Sequence, residues 1–228
     1  MKDRSRSILE KSIDSFIKTG RPVTSELLYD EYDFGIKPAM IRWELNDLSE
    51  AGYFYQTHPS GGRMPTNKAY RFLVSEILKG VERSFEDYVA ETVLEFIEGE
   101  RDRLTQKISK SLGILGVSYE PKHEWFNMAG LKDLCESLDL KNKKEFVEVI
   151  SDLEVLPERL GKSTTYFQGI KSWPQVFVGG SPITKSKELS VIANRFKMGD
   201  TNVFVLAIGP RRMDYERSVR LFRSFDLI

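Results

Sequence analysis

The chain has 228 residues, of which 40% are hydrophobic and 30% are charged, a composition typical of a soluble globular protein. This length allows one large domain or two ordinary ones. The formal net charge is zero, with 34 basic and 34 acidic residues, which argues against a strongly basic nucleic-acid coat protein. No apolar run is long enough to span a membrane and the N-terminus has no apolar signal core, so we expect no membrane association.

The single cysteine and the two histidines argue against a disulfide-bonded protein, a zinc protein and an enzyme. A single cysteine, Cys135, cannot form an internal disulfide and fits a reducing cytoplasm. His58 and His123 are too few to complete a zinc site with it. No nucleophile elbow, phosphate-binding loop or metal spacing accompanies them. We therefore expect a cytoplasmic protein that has no cofactor or metal and is not an enzyme.

The first elements predict a helix-turn-helix. Residues 4–18 carry a helical apolar stripe, and Gly20 supplies a C-terminal stop. Thr24 or Ser25 caps a second short helix. A third helix begins at Pro38, a residue suited to the first helical position, and ends before Gly52.

A β-hairpin follows the third helix. Residues 53–57 are strand-like, residues 58–62 form a turn cluster, and residues 63–65 make a short return strand. Thr66 then caps a helix that runs towards Lys79. Three helices followed by a glycine-tipped ribbon and a further helix are typical of a winged helix, which we assign to residues 1–75.

The third helix has a face suited to the major groove. On a helical wheel, Ile41, Leu45 and Leu48 share the inward side, and the outward side carries Ala39, Arg42, Trp43 and Asn46. Arg pairs with guanine, Asn with adenine, and small apolar groups with the thymine methyl. An exposed Arg or Asn is also common on any solvated helix. Trp43 has three open alternatives: packing on the first helix, packing on the wing, or contact with DNA.

The rest of the chain, residues 76–228, predicts a mixed α/β domain. The pattern favours strands over residues 175–178 and 203–208, with turns at residues 179–182 and at Gly209–Pro210. Helices are predicted over residues 84–112, 132–138, 144–153 and 215–224. A basic run that includes Arg211 and Arg212 could contact DNA, a partner subunit or only water.

Several segments together resemble the heat-inducible transcription repressor family HrcA. They are residues 22–27, 38–42, 48–52, 58–66, 69–71, 177–180, 190–192 and 208–215. The resemblance implies a dimeric repressor of chaperone genes that binds an inverted-repeat operator in double-stranded DNA and depends on the chaperonin GroEL. It also implies a GAF-like second domain with an inserted dimerisation segment. Residues 112–116 pass almost directly into residues 124–126, so we expect that segment and the central strands of the GAF-like domain to be missing and the domain to be reduced.

The sequence therefore predicts an α+β protein, a winged helix-turn-helix followed by a reduced GAF-like domain, that represses heat-shock genes. The alternative is a winged-helix regulator whose C-terminal domain senses a small molecule or a partner protein. The residues expected to contact DNA are Lys37, Ala39, Met40, Arg42, Trp43, Asn46, His58, Ser60, Gly61, Gly62 and Arg63.

Overall fold

The computed structural model describes residues 1–56, 58, 61–80, 101–140, 142–198 and 200–224. The chain divides into two units, Met1–Glu76 and Ile77–Ile228. The helices and strands of the first part of the chain are α1 (Asp3–Thr19), α2 (Ser25–Glu31), α3 (Pro38–Glu50), β1 (Phe54–Tyr55), β2 (Met64–Pro65) and α4 (Asn67–Gly80).

Local chemistry sets the boundaries of the first two helices. Gly20 adopts a left-handed backbone with a φ of 67°, and its N–H donates to the carbonyl of Phe16 at 2.8 Å, which closes the last turn of α1. The hydroxyl of Thr24 accepts from the backbone N–H of Leu27 at 3.1 Å. Thr24 is therefore the N-cap of α2, one of the two predicted caps.

A two-stranded antiparallel ribbon follows α3. Phe54 pairs with Pro65, and Tyr55 pairs with Met64. This ribbon is shorter than expected, because Arg63 pairs with Val23 instead of with the opposite strand. Thr66 directly precedes α4 as predicted, and its hydroxyl donates to the carbonyl of Gly52 at 2.8 Å.

The second part of the chain is built around one antiparallel sheet. The described helices and strands of this part of the chain are α5 (Arg101–Leu112), β3 (Leu115–Glu120), a 3₁₀ turn (Pro121–His123), β4 (Trp125–Ala129), α6 (Leu131–Ser137), α7 (Lys143–Glu154), α8 (Leu156–Gln168), β5 (Gln175–Val178), β6 (Leu189–Met198), β7 (Thr201–Pro210) and α9 (Tyr215–Ser224). The strand order is β4-β3-β7-β6-β5. The two parts together make a mixed α+β fold.

Helices cover both faces of this sheet. On one face, buried residues of β3, β6 and β7 pack with buried residues of α6, α7 and α8. On the other, the hydroxyls of Thr105 in α5 and Ser118 in β3 share a hydrogen bond of 2.7 Å. The side-chain amide of Asn194 in β6 donates to the carbonyl of Phe222 in α9 at 2.7 Å. Every residue of β3 is consequently buried.

Two predictions need correction, and a third lies partly outside the described residues. Gly209 and Pro210 do not form a turn, because β7 continues through them and pairs with Ser190 and Leu189. The strands β3 and β4 lie in the region where we expected the central strands to be missing, and the sequence did not predict the strand β6 or the helix α8 either. Of the helix expected over residues 84–112, only the part from Arg101 falls within the described residues, and residues 84–100 lie outside them.

Other predictions are confirmed. The strand over residues 175–178 and the helix over residues 215–224 have the predicted bounds. The helices expected over residues 132–138 and 144–153 correspond to α6 and α7. Within the described residues, no helix combines the length and apolar character needed to cross a bilayer.

Candidate nucleic-acid interface

Helix α3 is divided sharply into a buried and an exposed side. Ile41, Leu45 and Leu48 are buried, as the helical wheel predicts. Its exposed side includes Lys37 at the N-cap, followed by Ala39, Met40, Arg42, Trp43 and Asn46. All six belong to the set expected to contact DNA, so the structure gathers them on the accessible surface of one short helix.

Trp43 is the least expected member of this surface. It is 70% exposed, and neighbouring Met40 is 48% exposed. Neither the first helix nor the described part of the ribbon buries the indole, so two of the three alternatives for Trp43 lose their support. Tryptophan is among the side chains enriched at interaction surfaces, because it supplies a large contact area.

Arg42 forms an exposed ion pair with Glu26. Its guanidinium donates to Glu26 of α2 at 2.6 Å, and both side chains are about 60% exposed. The backbone N–H of Glu26, the hydroxyl of Ser25 and then Arg42 lower the pKa of the Glu26 carboxyl. Exposed pairs contribute little net free energy, so Arg42 remains available to another acceptor.

Glu44 is drawn away from the exposed side of α3. Its carboxylate accepts from the guanidinium of Arg4 at 3.2 Å and from the hydroxyl of Ser5 at 2.7 Å, both on α1. An acidic residue on this helix would repel a polyanion. Pairing with α1 reduces that repulsion, because the charge of Arg4 offsets it.

Contacts with other residues of the first unit shape the turn of the ribbon. The carbonyl of Gly61 accepts from the side-chain amide of Gln56 at 2.7 Å, and a methyl group built on Gly62 would lie 2.7 Å from the carbonyl carbon of Pro22. Glycine at 62 therefore allows a close approach within the unit. His58 is exposed, and Ser60 lies outside the described residues.

Arg63 lies in the interior instead of on the ribbon surface. Only 6% of its area is exposed, and it exchanges two backbone hydrogen bonds with Val23. Its guanidinium donates to the side-chain carbonyl oxygen of Asn46 on α3. Burial and then the charge of Arg42 lower the pKa of Arg63. The side chain of Arg63 therefore contacts α3 in this structure.

Sequence reasoning missed the partners that shape this surface. Glu26, Arg4 and Val23 contact Arg42, Glu44 and Arg63 across separations of 16 to 40 residues. Helical periodicity reports only on neighbours within about one turn. No local signal in the sequence identifies these pairs.

The basic run that includes Arg211 and Arg212 is largely paired with acidic residues of its own unit. Arg211 pairs with Glu188 at 2.7 Å, and Arg212 pairs with Asp139. His123, near the end of β3, contacts the buried carboxylate of Glu120. These contacts give the run and the histidine a role within the second unit.

Comparison with known proteins identifies relatives for most of the chain. The family model "HrcA protein C terminal domain" matches residues 68–219. The "Heat-inducible transcription repressor HrcA" of Acetivibrio thermocellus is 30% identical over 161 residues, which are 71% of this chain and 41% of that protein. The protein of that name from Thermoanaerobacter sp. (strain X514) is 37% identical over 110 residues, 48% of this chain and 32% of that protein. The chain thus spans less than half the length of these relatives.

A solved structure shares the fold. A crystal structure described as that of a hypothetical protein superposes with a TM-score of 0.76, covering 100% of this chain and 96% of the other at 17% sequence identity. At that identity the likeness concerns the fold alone. The family model, in contrast, rests on sequence and covers more than half of the chain. The chain therefore belongs to the HrcA family of heat-inducible transcription repressors.

Proposed function

We propose that this chain is a DNA-binding transcription repressor that acts on heat-shock or chaperone genes through an inverted-repeat operator. The observation that carries the proposal is the exposed N-terminal half of α3, where Trp43 and Met40 lack a covering partner among the described residues. Relatives named as heat-inducible repressors support the same function.

In this proposal residues 1–75 form a winged helix, and α3 enters the major groove with its N-terminal half first. Arg42 donates to a guanine edge, and Ala39 and Met40 contact thymine methyl groups. Lys37 and the positive end of the α3 helix dipole bind a phosphate. The turn that contains His58, Gly61 and Gly62 lies along the neighbouring backbone or minor groove.

We propose further that residues 76–228 form a reduced GAF-like domain and that two copies of the chain bind the two half-sites. A twofold operator calls for a twofold protein, because each α3 reads one half-site. Regulation by the chaperonin GroEL stays a prediction from the family. Light scattering with a footprint on the upstream region of the gene tests the dimer. A monomer that protects a single half-site contradicts it.

Two substitutions in the ion pair between Arg42 and Glu26 test the docking of α3, because they should change operator affinity in opposite directions. Arg42→Ala removes a base contact and lowers operator affinity about tenfold or more. Glu26→Gln removes the carboxylate that competes for Arg42, and it raises affinity because a negative charge leaves the interface. Fluorescence anisotropy with a labelled operator at fixed salt measures both variants.

A salt titration supplies the control for these variants. Lys37→Ala reduces the slope of log affinity against log salt by about one, since one phosphate contact is lost. Lys171→Ala removes an exposed lysine of the second unit and leaves the slope unchanged. The proposed docking is wrong if Arg42→Ala and Lys37→Ala both bind the operator with the affinity and slope of the wild type.

A further inference from the structure

The contact between Arg63 and Asn46 determines which way the amide of Asn46 faces. A guanidinium carries only N–H donors, so it can bond only to the carbonyl oxygen of an amide. The guanidinium of Arg63 donates to that oxygen of Asn46. The two N–H donors of the amide therefore point away from Arg63, and Asn46 lies on the exposed side of α3.

Arg63 is itself held firmly in place. Its backbone N–H donates to the carbonyl of Val23 at 2.8 Å, and its carbonyl accepts from the N–H of Val23 at 2.9 Å. The side chain is buried, and its Nε has no hydrogen-bond partner among the described residues. Among the described residues, Asn46 is the one side chain that bonds to the guanidinium of Arg63.

A buried cation bonded to a neutral amide is an uncommon arrangement. Buried guanidinium groups usually face a carboxylate, because the desolvation of an unpaired charge is costly. Retaining the bond to Asn46 is therefore favourable, since losing it would leave Arg63 with a second unsatisfied donor. The amide of Asn46 is in consequence restrained before any ligand arrives.

This restraint changes the base edge that Asn46 can read. An unrestrained asparagine binds adenine with both ends of its amide, accepting from N6 and donating to N7. Here the oxygen already faces a cationic donor, which disfavours the approach of the amino group of adenine. The two remaining donors match guanine, which presents two acceptors, O6 and N7.

Building on the proposed DNA-binding function, we propose that Arg63 is a specificity-determining positioning residue that orients Asn46 to donate to a guanine edge. Arg63 itself does not touch the base. The preference for guanine over adenine at one position of each half-site then depends on two residues that come from different elements, α3 and the ribbon.

Selection from a randomised double-stranded oligonucleotide library tests this inference with the full chain. Wild-type protein enriches guanine at one half-site position, by about tenfold over adenine. Asn46→Asp keeps the acceptor for Arg63 but removes the donors, and it abolishes that preference. Arg63→Met frees the amide and shifts the preference at the same position towards adenine. Arg42→Ala serves as the control, because it alters a different position.

The outcomes separate the inference from the proposed function. Wild-type protein that enriches no sequence overturns DNA binding, and the inference with it. A wild type that selects adenine, or an Asn46→Asp variant that retains the guanine preference, overturns the inference alone. Asn46 is exposed, so Asn46→Asp decides the question even where circular dichroism shows that Arg63→Met fails to fold.

Discussion

Val23 and Arg63 exchange two backbone hydrogen bonds, of 2.8 Å and 2.9 Å. This bridge joins the segment before α2 to the residue that directly precedes β2, 40 residues later in the chain. The ribbon is therefore tied to the body of the first unit by pairing, which fixes the position of the residues next to it. Gly62 and Pro22, which flank the bridge, are consequently in close contact.

Gly62→Ala is expected to destabilise the first unit. The added methyl group would lie 2.7 Å from both the carbonyl carbon and the carbonyl oxygen of Pro22, so the backbone must shift. Overpacking of this kind costs about 1–3 kcal/mol. Urea denaturation followed by circular dichroism measures the change in the free energy of unfolding.

Gly80→Ala is the matched control for that experiment. Gly80 ends α4, and apart from its chain neighbours and the backbone of its own helix no described atom lies within 4 Å of a methyl group built on it. We expect its free energy of unfolding to stay within about 0.5 kcal/mol of the wild type. Equal stability of the Gly62 and Gly80 variants would contradict the close approach to Pro22.

Thr24→Ala is expected to weaken α2. The hydroxyl of Thr24 accepts from the N–H of Leu27 at 3.1 Å, and loss of an N-cap costs about 1 kcal/mol. Thr24→Ser keeps the hydroxyl and should retain most of that stability. A thermal unfolding series that ranks the serine variant with the alanine variant would argue against the cap.

Trp43→Ala is expected to separate stability from binding. The indole is 70% exposed, so its removal should change the free energy of unfolding by less than about 0.5 kcal/mol. Operator affinity should fall because the side chain lies on the proposed groove-facing side of α3. Tyr166→Ala removes an exposed aromatic side chain from α8 and should bind the operator as the wild type does. Calorimetry and anisotropy give the two readouts.

Glu120→Gln is expected to reduce the pH dependence of stability. Burial raises the pKa of the Glu120 carboxyl, but hydrogen bonds from Thr201, His123 and the N–H of Lys122 outweigh it and hold that pKa below its ordinary value. A depressed pKa in the folded state stabilises the protein above the unfolded pKa of 4.5. That contribution is lost as the pH falls through the folded pKa.

The wild type should therefore exceed Glu120→Gln in stability at neutral pH, and the difference should shrink on acidification below about pH 4.5. Glu136→Gln changes an exposed glutamate of α6 and serves as the control. Denaturant titrations across this pH range measure the difference. A difference between Glu120→Gln and the wild type that stays constant with pH would rule out the proposed linkage.

The sequence predicted most of the candidate site, because the relevant signals are local. The periodicity of Ile41, Leu45 and Leu48 defined the buried side of α3, and Pro38 defined its start. The exposure of Arg42 and Asn46 follows from the same geometry. The position of Arg63 did not follow, since pairing with Val23 is a contact between distant segments.

Two of the strands that sequence analysis missed, β3 and β6, have a common physical cause. β3 and β6 carry polar residues on buried positions, such as Ser118, Ser190 and Asn194, so neither reads as a continuous apolar run. Tertiary partners satisfy those groups. Ser190, for example, shares a hydrogen bond of 2.7 Å with the hydroxyl of Tyr215. A pattern based on hydrophobicity cannot register a partner that arrives from elsewhere in the chain.

For this protein, the sequence by itself determined the features that depend on residues close together in the chain. These are the helical faces, the cap of α2, the glycine stop after α1 and the family motifs. Only the tertiary structure decided what depends on contacts between distant segments. It buried Arg63 against Asn46, paired Arg42 with Glu26 and left Trp43 exposed. The reason is physical, because side-chain periodicity is a property of one element, whereas burial and charge pairing depend on which elements meet.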